Sequence, residues 1–231
     1  MPKIKVFYFK KCYLKYCCML LFGVFCFSMI ANYFKVLPTS TLHNEKAPVI
    51  LDAGHGGVDS GAHKQIKEKD ITLDVVLRIE KILEDKGLQV ELTRDKDVDL
   101  GGKLTKGRHR RDLEARLNII NKGQVAVSIH VNAANDGSKE GALVLYSKSS
   151  ARSQEMAEFI LAEIAKVQKL CEPKAIPRKN LFLLRASKIP MVLVELGFLT
   201  NNRDWQKLNN PNFRQSCAQA VANGIIKYLE S

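Results

Sequence analysis

Residues 125–131 read Val125-Ala126-Val127-Ser128-Ile129-His130-Val131. A run this rich in β-branched residues, with no Asp, Glu, Lys or Arg in it, forms a buried strand. Reading outward from it, both flanks alternate helix with strand. Upstream, Leu113, Leu117 and Ile120 give a helix its apolar side, behind a polar, basic loop from Asp95 to Arg111. Ahead of that loop come a strand at Leu88–Thr93 and a helix at Ile71–Lys86. The helix carries Ile71, Val75, Ile79 and Ile82/Leu83 on one face, is capped by Asp70 and is stopped by Gly87. Earlier still, Pro48-Val49-Ile50-Leu51 is a short strand ending in a glycine-rich turn. Downstream lie a strand at Gly141–Tyr146 and a helix at Ser153–Lys169 built on Met156, Phe159/Ile160 and Ile164. The apolar strand Met191-Val192-Leu193-Val194 and a closing helix at Phe213–Leu229 follow. Strands and helices alternating at these lengths define an α/β protein, a three-layer α/β/α domain with a mostly parallel central sheet.

The 231 residues hold one substantial domain rather than two large ones, and a 46% apolar share excludes a disordered chain. The net charge of +12 is unevenly spread: residues 1–40 carry six lysines and no acid, which leaves +6 for the remainder. With no zinc-finger spacing, RNP-like motif or Arg/aromatic interleaving, the charge points away from nucleic acid and suits an anionic wall or membrane surface.

From Tyr16 to Phe34 the sequence YCCMLLFGVFCFSMIANYF has no charged residue, close to the roughly 20 residues a spanning helix needs. Five lysines precede it and one follows, which by the positive-inside rule leaves the N-terminus in the cytoplasm. Residues 1–36 therefore read as a cytoplasmic basic segment with one N-terminal transmembrane helix, a signal anchor. Residues 37–46 read as a linker and 47–231 as the globular domain, on the outer side of the cytoplasmic membrane. The alternative is a cleaved signal peptide and a secreted product, against which stand the length of the apolar run and the poor cleavage site Met29-Ile30-Ala31. Cys12, Cys17, Cys18 and Cys26 belong in or beside this segment; Cys171 and Cys217, far apart, make no disulfide framework and leave their pairing open.

Polar residues recur where strands end. His55 follows the first strand in Leu51-Asp52-Ala53-Gly54-His55-Gly56-Gly57, His130 ends the run from Val125, and Glu195 ends the run from Met191. Glu68 sits just before the first helix. In an open α/β sheet the C-terminal strand ends form the ligand crevice, so distant segments can deliver two imidazoles and two carboxylates to one place. Two His and one Glu match a catalytic zinc set with a position left for water, and a further carboxylate would carry the proton of an amide hydrolysis. No H-E-x-x-H or C-x-x-C fixes a ligand pair on one element.

Four segments, VILDAGHGGVDSGA, EKDITLDVVLRIEKILEDKGLQVELTRD, LEARLNIINKGQVAVSIHVNA and VLVELGFLTN, resemble in order and spacing the signature blocks of the N-acetylmuramoyl-L-alanine amidase 3 family. The resemblance implies one zinc ion per chain, with His55, Glu68 and His130 as ligands. It implies Glu195 as the catalytic carboxylate, carrying a proton from water to the departing alanine amine. The substrate it implies is peptidoglycan, cut between N-acetylmuramic acid and L-alanine. Asn132 matches the family's Asn and is a further site candidate. The stretch from Asp97-Val98-Asp99-Leu100 to Arg110-Arg111-Asp112, with the lone anchor, is similar to the spore-cortex, germination-specific branch. There a partner deacetylase completes muramic δ-lactam, and an activator protein is a further possible partner. The alternatives are a general wall-remodelling or cell-separation amidase and a catalytically silent wall-binding scaffold.

Other residues have plainer expected roles. Asp52 and Asp59 are expected to satisfy the glycine-rich turn, His63 and His109 to be solvated, and Lys103–Arg116 to form a solvated loop and helix face.

Overall fold

The computed structural model describes residues 19–29 and 47–231. The chain divides into two compact units, Met1–Glu45 and Lys46–Ser231. In the first, residues 19–29 are helical, with Met19, Leu20, Leu21, Phe22, Val24, Phe25, Phe27 and Met29 exposed. Among the described residues no helix is long and apolar enough to cross a membrane. A helix over residues 19–29 rises about 16 Å, against the roughly 30 Å of a hydrocarbon core. The expected transmembrane helix is therefore not supported by the described residues. The rest of the expected span (16–18 and 30–34), the whole linker (37–46), and Cys12, Cys17 and Cys18 lie outside them.

The second unit is built on six strands: β1 Val49–Ala53, β2 Val90–Leu92, β3 Val125–Asn132, β4 Leu143–Ser147, β5 Ile176–Arg178 and β6 Met191–Phe198. Their order in the sheet is β2-β1-β3-β6-β4-β5. The first four in that order run parallel, β4 runs antiparallel to β6, and β5 runs parallel to β4. The helices are α1 Glu68–Glu84, α2 Arg108–Ile120, α3 Ala151–Ile164, α4 Phe182–Ala186, α5 Asn202–Leu208 and α6 Pro211–Glu230.

The period of two along each strand sorts the layers. Val49, Leu51, Val125, Val127, Val192 and Val194 turn to one face, against Ile79 of α1, Met156 and Ile160 of α3, and Val221 and Ile225 of α6. Gly224 lets α3 and α6 meet closely, since a Cβ there would lie 2.5 Å from Ile160 Cα. Ile50, Ala126, Met191 and Leu193 turn to the other face, which α2 and the short α4 cover through Ile120, Leu183 and Leu184. This three-layer arrangement is the one expected. The same alternation puts Asp52, Ser128, His130 and Glu195 on the α2 side, and the register pairs Asp52 with Ser128 and His130 with Glu195.

Several elements differ from the sequence expectation. Asp70 is not a cap; α1 starts at Glu68, because the Glu68 carboxylate is fixed by amides of Ala62 and Val131. Glu195 does not end its strand, which continues to Phe198 through a register shift opposite His130 and Asn132. Three short elements, β5, α4 and α5, escape the periodicity argument. The polar helix α5 is specified instead by its cap, Asn201, whose side chain accepts from the amides of Arg203 and Asp204.

Candidate metal and catalytic site

His55, Glu68 and His130 come from three separate elements and converge. Glu68 Oε1 lies 2.9 Å from His130 Nδ1 and 3.1 Å from His55 Nε2. It also accepts from the Val131 amide at 2.9 Å, while Oε2 accepts from the Ala62 amide at 2.8 Å. The ligand atoms of the three residues lie within 4.8 Å of one another, and the two rings stand edge-on with centroids 4.9 Å apart. His55 has φ 63°, the one positive-φ residue other than glycine among the described residues. A Cβ on Gly54 would run into the His130 ring, and one on Gly61 would meet Glu68 and His55. The glycines of the first turn thus make room for the donors.

This donor set fits a metal ion. Burial alone would raise the Glu68 carboxyl, yet the two imidazoles hold it well below the ordinary range. Burial alone would lower the His55 imidazole, but Glu68 and Asp59 reverse this and raise it. Hydrogen bonds and favourable charge contacts from the two imidazoles favour the Glu68 anion. Asp59 Oδ1 stands 3.0 Å from His55 Nδ1, a charge contact off the line of a hydrogen bond. A carboxylate beside the outer nitrogen of a ligating histidine is the arrangement that orients such a ring. Asp59 also accepts from the Gly61 amide at 3.1 Å, so it serves the turn as expected and the histidine as well.

Glu195 is adjacent to His130 in the sheet register. Its Oε2 is shut off from solvent and has no hydrogen-bond partner among the described residues. Burial pushes its carboxyl up to about 7, Glu68 adds to the rise, and His130 and His55 oppose it. A carboxyl poised there can both accept and release a proton near neutral pH. Asn132 is otherwise engaged: its Oδ1 accepts from the Ala133 amide at 2.8 Å.

The residues beneath the turn depart most from expectation. Arg116, expected on a solvated face, is 2% exposed, and Arg94 is 3% exposed. Arg116 donates to Asp52 Oδ1 at 2.7 Å, to Asp112 Oδ2 at 2.8 Å, to the Ala53 carbonyl at 2.7 Å, and to the His55 carbonyl. Arg94 donates to the carbonyls of Ala53, Gly54 and Lys69, each at 2.9 Å. Asp52 also accepts from Thr93 and Ser128. Two buried guanidinium groups therefore gather three successive carbonyls of the turn that carries His55. Asp52 does not satisfy the glycine-rich turn as expected; its carboxylate is taken up by the side chains of Arg116, Thr93 and Ser128. An Arg four residues after Asp112 on a helix with an apolar side was a visible signal for an inward-facing pair. His109 is exposed, as expected, and also lines the small cavity over His55 and His130.

Two predictions follow from this network. Arg116→Met removes one partner of a buried ion pair and should cost about 3–5 kcal/mol of stability, read by urea unfolding. A loss under about 1 kcal/mol would mean the network is slack. The second concerns acid. Burial alone would raise the Asp52 carboxyl, but Arg116, Ser128 and Thr93 reverse this and lower it from 3.8 to about 2. A depressed folded pKa contributes stability above the unfolded value that is lost as pH falls through the folded one. Asp52 should therefore contribute about 2 kcal/mol that vanishes between roughly pH 4 and pH 2. In Asp52→Asn that part of the pH slope should be missing from urea midpoints; an unchanged slope would contradict the assignment.

The fold is a three-layer α/β/α domain, and the His–Glu–His donor set is a candidate metal site at the strand ends. A family described as N-acetylmuramoyl-L-alanine amidase (Amidase_3) matches residues 49–227. The chain belongs to this family, and it is an enzyme of that class. It is 33% identical over 187 residues to the germination-specific N-acetylmuramoyl-L-alanine amidase of Bacillus subtilis (strain 168), covering 78% of this chain and 79% of that protein. Among solved structures, the CwlD amidase from Clostridioides difficile in complex with the GerS lipoprotein superposes with a TM-score of 0.75 at 35% identity, covering 80% of this chain and 99% of that one. The catalytic domain of CwlV, an N-acetylmuramoyl-L-alanine amidase from Bacillus (Paenibacillus) polymyxa, gives 0.69 at 31%, covering 80% and 98%.

Proposed function

We propose that the chain uses one zinc ion, held by His55, Glu68 and His130, to hydrolyse the amide between N-acetylmuramic acid and L-alanine in spore-cortex peptidoglycan. The observation that carries this reading is the convergence of those three donors, with the buried Oε2 of Glu195 without a hydrogen-bond partner among the described residues and Glu195 paired with His130 in the sheet register. When bound by three N/O ligands, zinc lowers the pKa of a water to about 7 and polarises a carbonyl. The protein's own groups supply the proton path. Glu195 takes a proton from the attacking water as its oxygen adds to the lactyl carbonyl carbon. It returns that proton to the alanine nitrogen as the C–N bond breaks, giving a free carboxyl group and a free amine. Asp59 orients His55, and Arg94 and Arg116 keep the turn beneath it from shifting.

The spore setting is supported by the likeness to the germination-specific amidase of Bacillus subtilis; it implies a deacetylase acting on the product to complete muramic δ-lactam. The likeness to an amidase in complex with a lipoprotein supports an activator of similar kind for this chain. A tether in the cytoplasmic membrane, with residues 47–231 on its outer side, is supported by the exposed apolar side chains of residues 19–29 and by the lysine asymmetry around them.

The test is the full chain in detergent, incubated with purified peptidoglycan with added zinc and then with chelator. Mass spectrometry is expected to show intact stem peptides beginning with a free L-alanine amine, with zinc alone. Shortened peptides on intact glycan would make the enzyme a carboxypeptidase. Binding without release, from zinc-loaded folded protein, would favour a scaffold. Loss of muramic δ-lactam in spores lacking the protein would establish the cortex role, and unchanged δ-lactam would favour general wall remodelling.

A further inference from the structure

At the end of the sheet opposite the catalytic groups is a pocket of about 320 Å³ lined by Ser147, Lys148, Ser149, Arg178, Lys179 and Arg185. The register fixes its place. Leu143 of β4 lies across from Glu195, while Tyr146 lies across from Val192, near the start of β6. Ser147 then pairs with Arg178 of β5, and the Lys148 amide donates to the Arg178 carbonyl at 3.2 Å. Because β4 is reversed, its last residues lie at the end where β1, β3 and β6 begin. The polypeptide enters the folded unit at that same end, at residues 47–48 just ahead of β1.

The pocket's charge sets it apart. Some surface cations have carboxylate partners, as in Lys81–Asp85, Arg110–Glu114, Lys122–Glu91 and Lys166–Glu163. Others, such as Lys86, Lys103 and Lys174, have none among the described residues, so what distinguishes the pocket is that four cations share one concavity. Lys148, Arg178, Lys179 and Arg185 have none among the described residues, and no acid lines the pocket. Ser147 and Ser149 place two hydroxyls 3.0 Å apart on its wall. Guanidinium and ammonium groups with hydroxyls, concave and free of acids, are the chemistry that receives a phosphate oxyanion.

We propose that this pocket seats the phosphate headgroup of an anionic phospholipid, so that the catalytic unit stands on the bilayer with its metal site facing away. The lipid is favoured over other phosphates by the pocket's place at the chain-entry end, and in this respect the inference rests on the tether reading above. The pocket would then supply a second, electrostatic attachment beside the apolar segment.

The test uses the full, zinc-loaded chain, floated with vesicles of POPC and of POPC mixed with POPG over a range of salt. Hydrogen exchange is read on the bound protein at residues 146–150 and 177–186. POPG should raise binding at low salt and slow exchange in those segments. With four juxtamembrane cations each contributing, removing them together as Lys148→Gln, Arg178→Gln, Lys179→Gln and Arg185→Gln should cut the POPG increment on the order of tenfold or more. Binding to POPC through the apolar segment and hydrolysis of soluble muropeptide should be unchanged in that variant. An equal POPG increment in the variant would overturn the proposal. So would full reproduction of the slowed exchange by inorganic phosphate without vesicles, or a charge-dependent loss seen on peptidoglycan sacculi but not on POPG. If the tether reading fails, neither protein binds POPC, and the POPG increment still reads the pocket alone.

Discussion

Glu195→Gln is expected to lower turnover on peptidoglycan by about a thousandfold or more, within and above the usual range for losing a general acid–base, while zinc content stays at one ion per chain. Glutamine keeps the volume of glutamate but can neither take the water proton nor deliver it to the leaving amine. The site offers no substitute: Glu68 is bound up with both histidines and two amides. Stability should hold or rise, since the variant removes a carboxyl whose Oε2 is buried without a partner. The effect should fall on kcat rather than KM, because the lost interaction forms only as the proton moves. Turnover within tenfold of the parent, with zinc intact, would remove Glu195 from the proposed role.

His130→Ala should abolish activity by a different route, through loss of the metal. Two donors from a loop and a helix start hold zinc far less tightly than three. His130 is the one proposed ligand rooted in the middle of the sheet, and it braces Glu68 Oε1 at 2.9 Å. Zinc content after dialysis should fall well below half an ion per chain, and zinc should no longer raise the unfolding temperature. A variant that retains stoichiometric zinc would show that the ligand set is wrongly drawn. Comparing the two variants separates metal binding from proton transfer, which an activity assay alone cannot do.

Much of the architecture was legible because the strongest strands are apolar and the long helices are amphipathic. His130 and Glu195 stood out as lone polar residues closing apolar runs, and His55 as the histidine of the turn after the first strand, whereas Glu68, in a polar stretch before the first helix, was singled out only by its place in the family motif. What sequence periodicity could not supply was long-range pairing. Arg116 looked solvated within a basic stretch, and only the fold brings it to Asp52, 64 residues away. Arg94 was silent for the same reason, since its partners are backbone carbonyls that carry no side-chain signature. The reversal of β4 depends on which sheet edge remains free, and short elements such as β5 and α4 offer too few residues for a period to show. Asn132 drew notice through the family motif, whereas its side chain bonds the neighbouring amide.

The arginine clamp also sets an order of events for a newly made chain. The carbonyls it gathers belong to β1 and the turn after it, while the guanidinium groups arrive from β2's end and from α2. His130 is added only when β3 docks alongside β1. Helices can form locally in microseconds, but parallel strand pairing must close loops of dozens of residues and is slow. Metal capture should therefore lag behind helix formation during refolding, as the last event to report that the first, second and third strands have found one another.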